Sequence, residues 1–165
     1  MRAMVTADGV LALAGQRFRC ALGKGGVIAA LRKQEGDGAT PAATMALRRV
    51  LYRADRLGAP DCTVALEPIG PADGWCDSQD DSMYNRMINL PYSARHEALW
   101  RADALYDIVG VLGWNDAPVR RGAGSAIFLH VAAADYAPTE GCLALAMADL
   151  RRVLAMGLDE ICVVE

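Results

Sequence analysis

Cys142 closes the run Pro138-Thr139-Glu140-Gly141-Cys142. His130 closes the apolar run Ser125-Ala126-Ile127-Phe128-Leu129-His130, and eleven residues separate the two. A free thiol, with a pKa of about 8.5, is mostly protonated near neutral pH, so a nucleophilic cysteine needs an imidazole or a positive dipole beside it. One loop of that length can bring a strand end back to the thiol. Gly141 lets the backbone approach an acyl group closely, and the amides of Gly141 and Cys142 are candidate donors to a developing oxyanion. The chemistry this suits is acyl transfer, with Cys142 as nucleophile and His130 as base. Taken alone, the same residues also fit a buried structural cysteine and a packing histidine.

The elements that must position this pair read as mostly β. Ser125–His130 is expected to be a buried strand, and Ala146–Met156 a helix, with Leu150, Val153 and Leu154 on one face and Gly157 as its stop. Val10–Leu22 reads as a hairpin about a Gly15-Gln16 turn, because Phe18, Cys20 and Leu22 alternate with Arg17, Arg19 and Ala21. Cys62–Glu67 and Leu105–Leu112 read as strands, residues 34–41 and 70–92 as loops, and Ala94–Arg101 as a short helix capped by Ser93. Thr44–Arg53 carries both a helical spacing and the strand-forming Val50-Leu51-Tyr52.

Composition narrows the class further. The 165 residues are 53% hydrophobic and 22% charged, with 16 glycines and 7 prolines among short apolar runs. That suits one β-rich domain over residues 1–165. No run reaches the roughly 20 apolar residues of a membrane span. No signal peptide is read at the N-terminus, where Asp8 and Gly9 interrupt the opening run. Residues 1–60 hold ten Lys/Arg against four Asp/Glu, and residues 61–165 hold seven against sixteen, an asymmetry expected to form two solvated faces. Basic residues are not interleaved with aromatics, so a nucleic-acid groove is not expected. Five cysteines without a C-x-x-C pair, and only His96 and His130, offer no recognisable metal set. Cys20 and Cys162 are expected to be buried packing residues.

Four further residues are candidates for lining a substrate groove. Tyr84, Asn85 and Arg86 lie in the long polar segment with Trp75, and His96 lies on the expected short helix. Trp114-Asn115-Asp116 ends a strand and either flanks the site or forms a turn.

Ala126–His130, the loop after it and Thr139-Glu140-Gly141-Cys142-Leu143-Ala144-Leu145 resemble the signature of the YkuD-like L,D-transpeptidases. That signature is a histidine after a strand, a loop, then Ser/Thr-His-Gly-Cys, an apolar residue and usually Arg or Asn. Gly23-Lys24 and Gly36-Asp37-Gly38-Ala39-Thr40-Pro41 match two earlier turns of the family, so the resemblance spans roughly residues 5–155. The chain departs from the pattern at Glu140, where the second histidine stands, at Ala144, and in a shorter His-to-Cys spacing, which marks a divergent branch.

The resemblance implies a β-sandwich of two mixed sheets with a few short helices, and makes residues 45–53 a strand. It implies that Cys142 attacks a peptidoglycan stem peptide at the L-centre of a diamino acid, with His130 as base and no metal or organic cofactor. Thr139 and Glu140 become substrate-binding candidates and carbapenem-type β-lactams possible inhibitors, while His96 is either a spatial substitute for the missing histidine or, as the favoured reading, a surface or capping residue. An amine acceptor gives a cross-link, whereas water gives an L,D-carboxypeptidase or cross-link hydrolase. An inactive peptidoglycan-binding domain and an unrelated cysteine hydrolase are the other readings. The substrate implies the periplasm, with action on cell-wall precursors or fragments in the cytoplasm as the alternative.

Overall fold

The computed structural model describes all residues from Met1 to Glu165. The first half contains β1 (Arg2–Thr6), β2 (Val10–Leu13), β3 (Gln16–Arg19), β4 (Val27–Ala29), β5 (Thr40–Ala42), β6 (Thr44–Tyr52), β7 (Ala65–Pro68) and β8 (Asp73–Cys76). The second contains β9 (Met87–Asn89), β10 (His96–Ala98), β11 (Ile108–Leu112), β12 (Phe128–Val131), β13 (Leu143–Leu145), helix α1 (Met147–Ala155) and β14 (Glu160–Val164). A single 3-10 turn, Ala30–Arg32, follows β4.

Nine strands form one mixed hydrogen-bonded path, β13-β12-β11-β6-β14-β1-β2-β3, with β7 alongside β6. The long β6 is shared by the two halves of the sandwich: Thr44–Ala46 pair with β14, while Leu47–Tyr52 pair with β11. The far ends of the path also meet. Ala21 and Ala144 exchange backbone hydrogen bonds of 2.8 and 2.9 Å, and Thr139 bonds to Leu22 and Lys24 at 2.9 and 2.8 Å. The edges that would otherwise be left open are thus tied to one another at the Cys142 loop.

Strand alternation distributes the apolar side chains between two cores. Val50, Ile108, Leu129, Leu143 and Leu145 face the larger core with Leu11, Val5 and Ile161, beneath Leu150, Val153 and Leu154 of α1. Their neighbours Leu51, Val109, Phe128 and Cys142 face a smaller core with Trp75 and Leu99. β11 is therefore buried at all five positions, as expected for a strand covered on both faces. The smaller core is covered by a three-stranded antiparallel sheet, β10-β8-β9.

The mainly β architecture, the strand over residues 45–53 and the helix before Gly157 match the sequence reading. Four local expectations do not. Residues 94–101 contain no helix: His96–Ala98 pair with β8 in the register Glu97↔Trp75. The helix formers Ala94, Glu97 and Ala98 supply no apolar stripe, and burying Leu99 beside Trp75 settles the conformation. The segment 70–92 is not all loop, because β8 and β9 pair through Trp75↔Met87 to cover the smaller core. The strand expected at Cys62–Glu67 begins only at Ala65, where its parallel pairing with β6 starts. The hairpin turn falls on Ala14-Gly15, both at positive φ, since Leu13 pairs with Gln16.

Candidate active site

Parallel pairing of β12 with β13 sets His130 opposite Ala144. Extending that register by two residues sets Cys142 beside Phe128, so alternation turns Cys142 and His130 to the same face of the sheet. Cys142 is held from both sides, with β12 on one flank and residues 21–24 on the other. Within the loop, the Thr139 hydroxyl donates to the Cys142 carbonyl at 2.7 Å and accepts the Gly141 N–H at 3.1 Å. The buried Thr40 hydroxyl donates to the Gly141 carbonyl at 3.0 Å and accepts the Gly23 N–H at 2.9 Å. Gly141 has φ 131°, and a Cβ there would stand 2.9 Å from the Ala39 carbonyl oxygen. Both conditions demand glycine.

The Cys142 thiol donates to the Ala126 carbonyl at 3.1 Å, and its sulfur accepts the Phe128 N–H at 3.4 Å. Ala126 sits at φ 52°, an uncommon conformation for a residue with a Cβ. Asn85 holds it there by accepting the Ala126 N–H at 3.0 Å. Burial, with the Glu97 charge as a second cause, pushes the Cys142 thiol up to about 12. His130 is also buried, and burial lowers its pKa. Its Nδ1 lies 2.9 Å from the Val131 carbonyl, a contact only an N–H can make favourable, so in the neutral ring Nε2 carries the lone pair. The resting pair is therefore a neutral thiol and a neutral imidazole. No hydrogen bond joins them, so the S–H must turn from Ala126 before the proton can pass.

Both groups line one cavity of about 250 Å³, with Tyr106, Glu97, Arg101 and Thr139 in its walls. A second cavity of about 260 Å³, lined by Lys33, Glu35, Asp77, Arg95 and Ser125, also has Cys142, Glu97 and Glu140 in its wall. The two are lobes of one cleft that meet at the thiol. The Tyr106 hydroxyl donates to Glu97 at 2.8 Å, and the Tyr106 ring meets the His130 ring edge-on at 5.3 Å.

The model of the L,D-transpeptidase catalytic domain (YkuD) matches residues 2–160. The chain belongs to this family. No curated protein and no solved structure matches it significantly.

Within this YkuD domain, the structure brings Cys142, His130, Gly141, Thr139 and Glu140 together and leaves the other four candidates outside the cleft walls. Tyr84 is 2% exposed, with its hydroxyl on Glu35, because it fills space beneath the loop that sequence reads as open. Asn85 is also buried, holding Trp75 Nε1 and the carbonyls of Trp114 and Asn115 as well as Ala126, so it braces the thiol's partner rather than a substrate. Arg86 is exposed and lines neither lobe. His96 caps its own turn through Nδ1 to Ala94 at 2.7 Å and faces away from the cleft, since strand alternation gives that side to Glu97.

Trp114 and Asp116 line a separate cavity of about 360 Å³ that does not reach Cys142 or His130. Glu140 lies at the mouth of the cleft, 76% exposed, and its carboxylate pairs with Lys24 at 2.8 Å. Gly141 N–H is committed to Thr139, while Cys142 N–H has no acceptor within the protein. Cys20 is buried and its thiol raised to about 12 by burial, whereas Cys162 is only half-buried on β14. Glu97, Tyr106 and Arg101 also line the cleft, and the sequence reading did not single them out. The wrong secondary structure at 94–101 hid the first, and no local motif marks the other two.

Proposed function

We propose that this YkuD domain is a cysteine L,D-transpeptidase acting on peptidoglycan stem peptides. The observation that carries the proposal is the placement of Cys142 and His130 on one face of adjacent strands, lining the same cleft.

His130 Nε2 removes the thiol proton as Cys142 Sγ attacks the carbonyl carbon at the L-centre of the donor's diamino acid. The unpartnered Cys142 N–H stabilises the oxyanion. The carbon–nitrogen bond breaks, the leaving amine takes the proton from His130, and a thioester remains. An amine of a second stem then attacks the thioester and loses its proton to His130. The carbon–sulfur bond breaks, and the proton returns to Cys142. The residues do all of this as acid, base and nucleophile. The substrate places the reaction outside the cytoplasmic membrane, and no helix is long and apolar enough to cross a membrane.

Incubation with purified stem peptides, followed by mass spectrometry, tests the reading. Cross-linked dimers are expected; shortened monomers alone would make the protein a carboxypeptidase. Cys142→Ala should abolish turnover and leave the circular dichroism spectrum unchanged. Appreciable turnover by Cys142→Ala would overturn the assignment.

A further inference from the structure

The geometry points to Glu97 as the carboxylate that receives the side-chain ammonium of the acyl donor, a specificity-determining residue for the reaction proposed above, on which this inference rests. Glu97 is the one residue besides Cys142 and Glu140 that lines both lobes of the cleft. Unlike Glu140, it stands inside, on the covering sheet, with its carboxylate bonded to Tyr106.

The cations around it are already engaged. Arg101, over the Tyr106 ring, makes two hydrogen bonds to Asp103 at 2.6 and 2.9 Å. Arg95 pairs with Asp77 at 3.0 Å and reaches Glu35 at 3.9 Å. Lys33 is paired with Asp37, and Lys24 with Glu140. Glu97 takes part in no ion pair. A half-buried carboxyl next to a nucleophile, with a hydroxyl donor and only the more distant charge of Arg101, itself bonded to Asp103, is a costly arrangement unless a cation arrives with the ligand.

The chemistry of the reaction decides which cation. The acceptor amine must be deprotonated to attack the thioester, so a carboxylate that holds an ammonium would hinder it. The donor's own side-chain amine stays protonated throughout and suits the role. Burial raises the Glu97 pKa, and the Glu97 charge adds to the burial that raises Cys142. The groups facing this pair are His130, Tyr106 and Arg101 in one lobe, Lys33, Asp77, Glu35 and Arg95 in the other, and Glu140 at the mouth of both. An ammonium beside Glu97 neutralises the charge opposing the thiolate, so binding of the right donor itself eases formation of the nucleophile.

The test uses the full chain and a pair of stem peptides, one with the free side-chain amine of its diamino acid and one with that amine acetylated. The rate of Cys142 acylation is read by intact mass, without acceptor. The free-amine peptide should acylate the wild type about tenfold or more faster, and Glu97→Gln, which retains an acceptor for Tyr106, should lose most of that preference. In the absence of peptide, iodoacetamide at pH 8.5 should alkylate Cys142 roughly threefold or more faster in Glu97→Gln, because the opposing charge is gone.

Equal acylation by both peptides, or a preference kept in Glu97→Gln, would overturn the role of Glu97 and leave the transpeptidase reading standing. Acylation by neither peptide would sink both. Where Glu97→Gln folds poorly, equal acylation of the wild type by the two peptides still overturns the proposal, and Glu97→Asp, which keeps the charge, should retain part of the preference.

Discussion

Cys142 and His130 are both buried, and burial acts on them in opposite directions: it raises the thiol and lowers the imidazole. The neutral pair is thereby favoured over thiolate–imidazolium, which makes the base necessary at the moment of attack. His130→Ala should cut acylation steeply at neutral pH. Its residual rate should climb about tenfold per pH unit from 7 to 9, because only the thiolate fraction, far below its midpoint, still reacts. A residual rate that is flat and high over that range would remove His130 from the role of base. Glu140 presents the contrary case. Its carboxylate lies at the surface with Lys24, where exposed pairs contribute about 0–1 kcal/mol. Glu140→Gln should change the rate of carbapenem acylation by less than about twofold, and a large loss would mean that Glu140 takes part in activating the thiol.

At the scale of elements, the nucleophile's precision rests on the hydrogen bonds around Gly141 rather than on the strand alone. Gly141→Ala sets a Cβ against the Ala39 carbonyl at an unfavourable φ, and should cost on the order of 1–3 kcal/mol of stability with a larger loss of activity than Glu140→Gln. Thr40→Val, which strands the Gly23 N–H and Gly141 carbonyl, should cost about 1–3 kcal/mol in urea unfolding.

How much of this sequence could show differs from one element to the next. The α1 face and the Ser125–His130 strand carry their period openly, and Gly141-Cys142 declares a tight approach. Thr40 could be noticed as part of a turn, but its grip on Gly141 spans 101 residues and leaves no local trace. The β10 strand was illegible because three residues of pairing are decided by Trp75 and Leu99, not by their own propensity. That one misreading exchanged His96 for Glu97, since a strand turns neighbours to opposite faces whereas a helix keeps them nearly together.

Across the whole molecule, the basic first part and the acidic remainder do not form two separate solvated faces. They meet as ion pairs: Arg2 with Glu160, Lys24 with Glu140, Arg48 with Asp116, Arg49 with Glu67 and Arg56 with Asp107. Net charge by segment is visible in sequence, but which segments lie side by side is a property of the sheet path. The family resemblance implied two mixed sheets but no strand order, because register between strands distant in sequence is settled by the shared cores.

The junction where the two ends of the sheet meet has a consequence for motion. A loop tethered on one flank can fray alone, whereas residues 139–145 are stitched to β12 and to residues 21–24 at once. The amides of Ala21, Lys24, Thr139 and Ala144 should therefore exchange with deuterium as one slow group, at a rate close to that of β11, instead of at the rates usual for a surface loop. The nucleophile would then be as rigid as the core, and any opening that admits a substrate would fall to the β10-β8-β9 cover opposite it.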